Sequence, residues 1–179
     1  MKFYVLNYRV GDPAETDYFC SANHNYSDAP KCNLCKKYIG MLVWEPPYKV
    51  EIRFWGKEYA DIIHFSVDIL ISERFAQFYR KAKLKGLKIL GPAEVFKVIP
   101  KRMIKDMPKY YVARIKRSKA IFDMKLSGAK YKGELCKECN MSDDLQSYRR
   151  IVIREETWTG DDIFYPKGLP GTKIVTERF

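Results

Sequence analysis

Pro30-Lys31-Cys32-Asn33-Leu34-Cys35-Lys36-Lys37 and, far downstream, Leu135-Cys136-Lys137-Glu138-Cys139-Asn140 are the two stretches on which the reading of this chain turns. Two residues between paired cysteines let one tight turn aim both thiolates at a single ion, and two such turns complete a tetrahedron. Cys32, Cys35, Cys136 and Cys139 are therefore expected to hold one structural Zn²⁺. The long interval between the pairs excludes a zinc finger and implies an inserted subdomain, expected at about 45–130 within a single zinc-stabilised domain spanning 1–179. Loop-closure cost rises by only about 0.6 kcal/mol per doubling of length, against roughly 10 kcal/mol of apparent affinity for structural zinc. With sulfur at all four positions no site stays open for water or substrate, so the expected role is structural and the chain is not expected to be an enzyme. A redox dithiol would open a helix after a strand, and neither pair does. Cys20 and His24 are the remaining ligand candidates; a buried free thiol and a surface imidazole explain them more simply.

The 179 residues are 46% apolar, with Tyr 13, Phe 10 and Trp 3. Aromatic residues in short alternating runs punctuated by Pro and Gly favour β structure. The formal charge of +11 stays strongly positive after allowing for four thiolates and one Zn²⁺. Such a surplus favours an anionic partner, either nucleic acid or an acidic protein face. No window approaches the roughly 20 apolar residues that span a bilayer, so no membrane association is expected. Met1 to Val10 lacks the apolar core and cleavage site of a signal peptide, and the expected location is cytoplasmic.

Along the chain, Lys2 to Val10 reads as an opening strand ended by Gly11-Asp12-Pro13, and Ala14 to Pro30 as a loop. Ile39 to Trp44 reads as a strand returning from the first knuckle. Tyr48 to Trp55 alternates, with Tyr48, Val50, Ile52 and Phe54 on one face and Lys49, Glu51 and Arg53 on the other. Ile62 to Phe65 reads as a short strand. Ser72 offers an N-cap and Phe75, Phe78, Tyr79 and Ala82 a helical stripe, giving one prominent helix over 73–85 that Leu84-Lys85-Gly86 stops. Ala93 to Ile99, Lys109 to Ile115, Lys119 to Asp123 and Arg150 to Arg154 complete the strands. Ile69-Leu70-Ile71-Ser72-Glu73-Arg74-Phe75 is echoed by Lys173-Ile174-Val175-Thr176-Glu177-Arg178-Phe179. The expected fold is α+β: a mainly antiparallel sheet, one prominent helix and a four-cysteine zinc knuckle pair.

No P-loop, dinucleotide fingerprint or H-E-x-x-H motif occurs. His64 lies in an apolar run and reads as a packed residue, and the acidic doublets 143–144, 155–156 and 161–162 as solvated turns. Basic residues gather around the first knuckle (Lys31, Lys36, Lys37), on and beyond the helix (Arg80, Lys81, Lys83, Lys85, Lys88), and from Lys97 to Lys119, a stretch that includes Arg102. Tyr110, Tyr111 and Trp158 are candidates for partner contact.

The two knuckles and the segments Glu155 to Phe164, Gly168 to Gly171 and Thr176 to Phe179 resemble the double C-x-x-C-G family, a myxobacterial paralogous group regarded as immunity proteins of polymorphic toxin systems. Met1 to Tyr4, Pro30 to Cys35 and Ser72 to Phe75 occupy comparable places in order. The family's glycine after each second cysteine is here Lys36 and Asn140, and its helix after Phe179 is missing. The resemblance implies a toxin–antitoxin role: an immunity protein that binds and neutralises a cognate toxin, with an acidic toxin surface as the face that suits this chain. A zinc-containing nucleic-acid-binding protein is the alternative.

Overall fold

The computed structural model describes residues 1–7, 13–21, 25–64, 68–101 and 105–179. The expected turn at Gly11-Asp12, the end of the opening strand at Tyr8 to Val10, His24, Phe65 and Arg102 lie outside the described residues. The fold is α+β and predominantly antiparallel, and it divides into two compact units. The first comprises Met1–Leu6, Ala29–Met41 and Lys116–Phe179; the second comprises Asn7–Asp28 and Leu42–Ile115.

In the first unit, β1 (Phe3–Val5), β16 (Ile174–Thr176), β15 (Ile163–Lys167), β11 (Arg117–Phe122) and β14 (Ile153–Arg154) form one sheet in that order. Only the β11–β15 pair is parallel. Its core is Ala120, Ile153, Phe164 and Ile174, with Phe3 and Trp158 packed against it; Phe122, Met124 and Leu169 make a second cluster. A ribbon of β12 (Lys130–Lys132) and β13 (Asp144–Ser147) leads into and out of the second knuckle. Asp161 is 3% exposed and accepts from Lys116, Ser118 and Thr159, so this doublet is a buried polar latch where a solvated turn was expected. The carboxylates sit inside because each finds donors there, the condition under which burial is tolerated.

In the second unit, β2 (Thr16–Cys20), β5 (Lys49–Phe54) and β9 (Glu94–Ile99) form one sheet, with β9 parallel to β5. A second sheet runs β6 (Ile62–His64), β7 (Ile69–Ser72), β10 (Tyr110–Ile115), β8 (Leu87–Pro92). A ribbon joins β3 (Asn25–Ser27) to β4 (Val43–Glu45). Tyr18, Trp44, Val50, Ile52, Ile63 and Val112 head the core. The alternation of 48–55 is realised: Val50 and Ile52 are fully buried, while Glu51 on the other face bonds Arg53 and Lys97.

Four readings are corrected. The segment 14–30 contains β2 and β3, because Thr16 and Tyr18 alternate inward over too few residues to stand out from their polar surroundings. The strand expected over 39–44 contracts to β4, and that over 150–154 to β14, since the residues before each strand are taken up by turns and loops. The helix α1 (Glu73–Lys81) is shorter than expected. Ser72 caps it, accepting from the Phe75 amide at 3.0 Å, but its stop is Lys83 at φ 54°. The Lys83 amide donates to Arg80 O and the Leu84 amide to Tyr79 O, the paired bonds of a Schellman ending. No helix among the described residues is long and apolar enough to cross a membrane.

Candidate metal centre

Each knuckle is built by the same two backbone bonds. The Lys36 amide donates to Cys32 O at 3.0 Å and the Cys32 amide to Lys37 O at 2.9 Å; the Asn140 amide donates to Cys136 O at 2.8 Å and the Cys136 amide to Met141 O at 3.0 Å. These bonds turn the chain so tightly that the residue after the second cysteine enters the left-handed region, with φ 61° at Lys36 and 60° at Asn140. Asn tolerates that conformation and lysine does so at a cost. The Asn140 side chain also donates to Phe122 O at 3.0 Å. A β-carbon on Gly168, at φ 87°, would lie 2.7 Å from Asn140 Nδ2 and O, so only glycine fits beside the second knuckle.

The two turns bring the four sulfurs together. Cys32 Sγ lies 3.8 Å from Cys136 Sγ and Cys35 Sγ 3.6 Å from Cys139 Sγ, and all four ligand atoms fall within 4.8 Å of one another. A tetrahedron with metal–sulfur bonds of about 2.3 Å has edges of about 3.8 Å, so the cluster is geometrically suited to a structural metal ion, consistent with Zn²⁺. Cross-ties hold the turns in place: the Leu34 amide donates to Glu138 Oε2 at 3.1 Å and Lys37 Nζ to Asp143 Oδ1 at 2.6 Å.

The donor set favours the same conclusion electrostatically. Backbone N–H groups of Cys139 and Glu138 pull the Cys136 thiol down to about 6, whereas burial and the neighbouring sulfurs push Cys139 up to about 12. Four such thiols cannot all ionise side by side without a cation, and a divalent metal supplies it. With zinc the centre carries two net negative charges. Lys37, raised above the ordinary lysine range by Asp143 and by the Cys35 and Cys139 sulfurs, helps to balance them.

The other candidates lie apart from the sulfur cluster. Cys20 belongs to the second unit, where the Tyr26 hydroxyl approaches its sulfur at 3.6 Å and burial raises its thiol. Tyr110 is 1% exposed and donates to Ala60 O; Tyr111 is half-buried and donates to Glu73. Trp158, in the first unit, donates to Asp161 O at 2.8 Å and stacks edge-on with Phe3. The three aromatics do not make one patch within either unit.

One feature carried no sequence signal. A cleft of about 320 Å³ opens beside the centre, with Ile39, Met141 and Pro166 among its apolar walls and Arg117, Lys119 and Lys167 among its charged residues. Its residues come from four separated stretches, so no local motif announces it. Comparison of the chain with protein-family models, with curated proteins and with solved structures finds no match.

Proposed function

We propose that this chain is a non-catalytic binding protein whose working surface is kept in shape by a closed four-sulfur zinc centre. The observation that carries the reading is the convergence of Cys32, Cys35, Cys136 and Cys139 with every tetrahedral position taken by sulfur. The partner we favour is a cognate toxin, neutralised stoichiometrically in the cytoplasm, as the resemblance to the double C-x-x-C-G family implies. Two features support it. The positions where that family carries glycine both adopt positive φ here, and all the resembling segments except Ser72 to Phe75 fall in the first compact unit. The cleft beside the centre, apolar within and carrying Arg117 and Lys119, suits an acidic toxin face; complementary charge there speeds encounter and narrows partner choice.

A nucleic-acid-binding role is the second reading. It is supported by the metal centre together with the exposed row Arg80, Lys81, Lys83, Lys85 and Lys88.

Affinity recovery of the zinc-loaded protein from its native host, followed by titration with duplex and single-stranded DNA and RNA over a salt series, separates them. A co-purifying protein whose binding weakens at least tenfold in Lys119→Glu supports the toxin reading. Tight nucleic-acid binding that falls steeply with salt supports the second. Neither result would leave the binding proposal without a partner and overturn it.

A further inference from the structure

The seven-residue echo extends much further in space than in sequence. Ser72 and Thr176 each end a strand, β7 and β16, and each pairs through that strand with the one that follows an aspartate, Asp61 or Asp162. The registers coincide: Ile62 faces Ile71 and Ile63 faces Leu70 in one unit, while Ile163 faces Val175 and Phe164 faces Ile174 in the other. The clasp is also the same. The Ser72 amide donates to Asp61 O and the Thr176 amide to Asp162 O, both at 2.9 Å. The hydroxyls donate to Asp61 Oδ1 at 2.5 Å and to Asp162 Oδ1 at 2.9 Å. Arg74 pairs with Asp61 at 2.7 Å and Arg178 with Asp162 at 3.5 Å.

A third strand joins each hairpin in equal register. Tyr110, Tyr111 and Val112 oppose Ser72, Ile71 and Leu70; Phe3, Tyr4 and Val5 oppose Thr176, Val175 and Ile174. These strands open with Lys109-Tyr110-Tyr111-Val112 and Lys2-Phe3-Tyr4-Val5. Along the chain the order is therefore strand, knuckle, aspartate, hydroxyl clasp, and then the same four features again. The knuckle cysteines are 104 residues apart, Ser72 and Thr176 have that same separation, and the other two features differ from it by only a few residues.

We infer that the chain is a tandem duplication of one module, in which each copy gives its first strand to the sheet of the other copy and half of the metal site to a shared centre. A hairpin with a capping hydroxyl is a common local solution, and one echo would mean little. Coincidence of chain order and spacing, of three-strand register and clasp chemistry in the two units, and of knuckle conformation at the two halves of the metal site is not expected of convergence. The inference stands independently of the partner, because it uses only backbone pairing, the clasp and the two knuckles.

The test is a reciprocal transplant in the full-length, zinc-loaded protein. Leu70→Ile/Ile71→Val/Ser72→Thr puts the second copy's residues into the first hairpin, and Ile174→Leu/Val175→Ile/Thr176→Ser does the reverse. The matched controls are Ser72→Val and Thr176→Val, which keep the shape of threonine and remove the hydroxyl. If the hairpins are copies, both transplants retain one zinc per chain and melt within a few degrees of the parent, while both controls melt several degrees lower. Ser72→Ala with Arg74→Met, and Thr176→Ala with Arg178→Met, should then each lose less together than the sum of their single losses. A transplant that behaves like its valine control, or a clasp that couples in one unit only, would overturn the duplication. In the same protein, Cys32→Ser/Cys35→Ser and Cys136→Ser/Cys139→Ser should lose bound zinc to the same degree; retention by either would overturn the shared centre.

Discussion

Lys36 and Asn140 occupy the same place in two turns closed by the same backbone bonds, with φ 61° and 60°, yet only Asn140 is suited to it. Asparagine tolerates the left-handed region and its amide reaches Phe122 O. Lysine brings a Cβ and nothing that offsets it. The second knuckle is thus relaxed and the first is strained.

Lys36→Gly should accordingly stabilise the zinc-loaded protein by about 1 kcal/mol, the size of the penalty removed less the entropy that glycine adds to the unfolded chain. Asn140→Gly should not, because it deletes a hydrogen bond to the carbonyl of the fully buried Phe122. Thermal unfolding of the two variants side by side reads the difference, and a stabilised Asn140→Gly would contradict this account.

Metal removal should act first on the first unit. The apolar clusters among its described residues have few members, and a shared ion would fix the geometry of the two knuckle segments. Protein purified without added metal should carry one zinc per chain by mass spectrometry, and a cobalt-exchanged sample should show tetrahedral thiolate spectra. After chelation, amide exchange should accelerate across 30–41 and 135–141, while β5 and β7, inside the larger core of the second unit, stay protected.

Arg114 and Asp68 form the most buried ion pair of the second unit. The Asp68 side chain is 0% exposed and lies 2.8 Å from Arg114 Nη2, which also donates to Trp44 O. Arg114→Met strands a buried carboxylate and should cost roughly 3–5 kcal/mol. Arg114→Met/Asp68→Asn should recover part of that loss, measured as the denaturant midpoint; equal midpoints for the single and double variants would argue against the pair.

Glu51 gives the sheet of β2, β5 and β9 a pH dependence. Hydrogen bonds from Lys97 and then Arg53 hold its carboxyl below the ordinary glutamate range, against a smaller opposing effect of burial. A depressed folded pKa means that the stabilisation is fully present above the unfolded value of about 4.3 and is lost as pH falls through the folded one. Glu51→Gln should therefore lower stability at neutral pH and match the parent in strong acid. Because Lys97 and Arg53 are substantially exposed, the gap should be small and should shrink with salt.

The sequence by itself singled out the four cysteines that cluster, because C-x-x-C spacing is a local geometric statement about each turn. It also determined the start of α1, where Ser72 caps whatever follows, and the alternation of 48–55, whose period of two survives any packing. It did not reveal the early stop at Lys83, since a left-handed lysine has no residue signature. β2 and β3 escaped as well: their alternation is shorter than the polar background around it. Only the tertiary structure decided that the aspartate before β15 is a buried clasp, that Tyr110 is core, and that the first strand of each repeat pairs within the other repeat's sheet. Strand partnership is set by which apolar faces are left uncovered once the chain has collapsed, and that is a property of the assembled core, which no local stretch of residues contains.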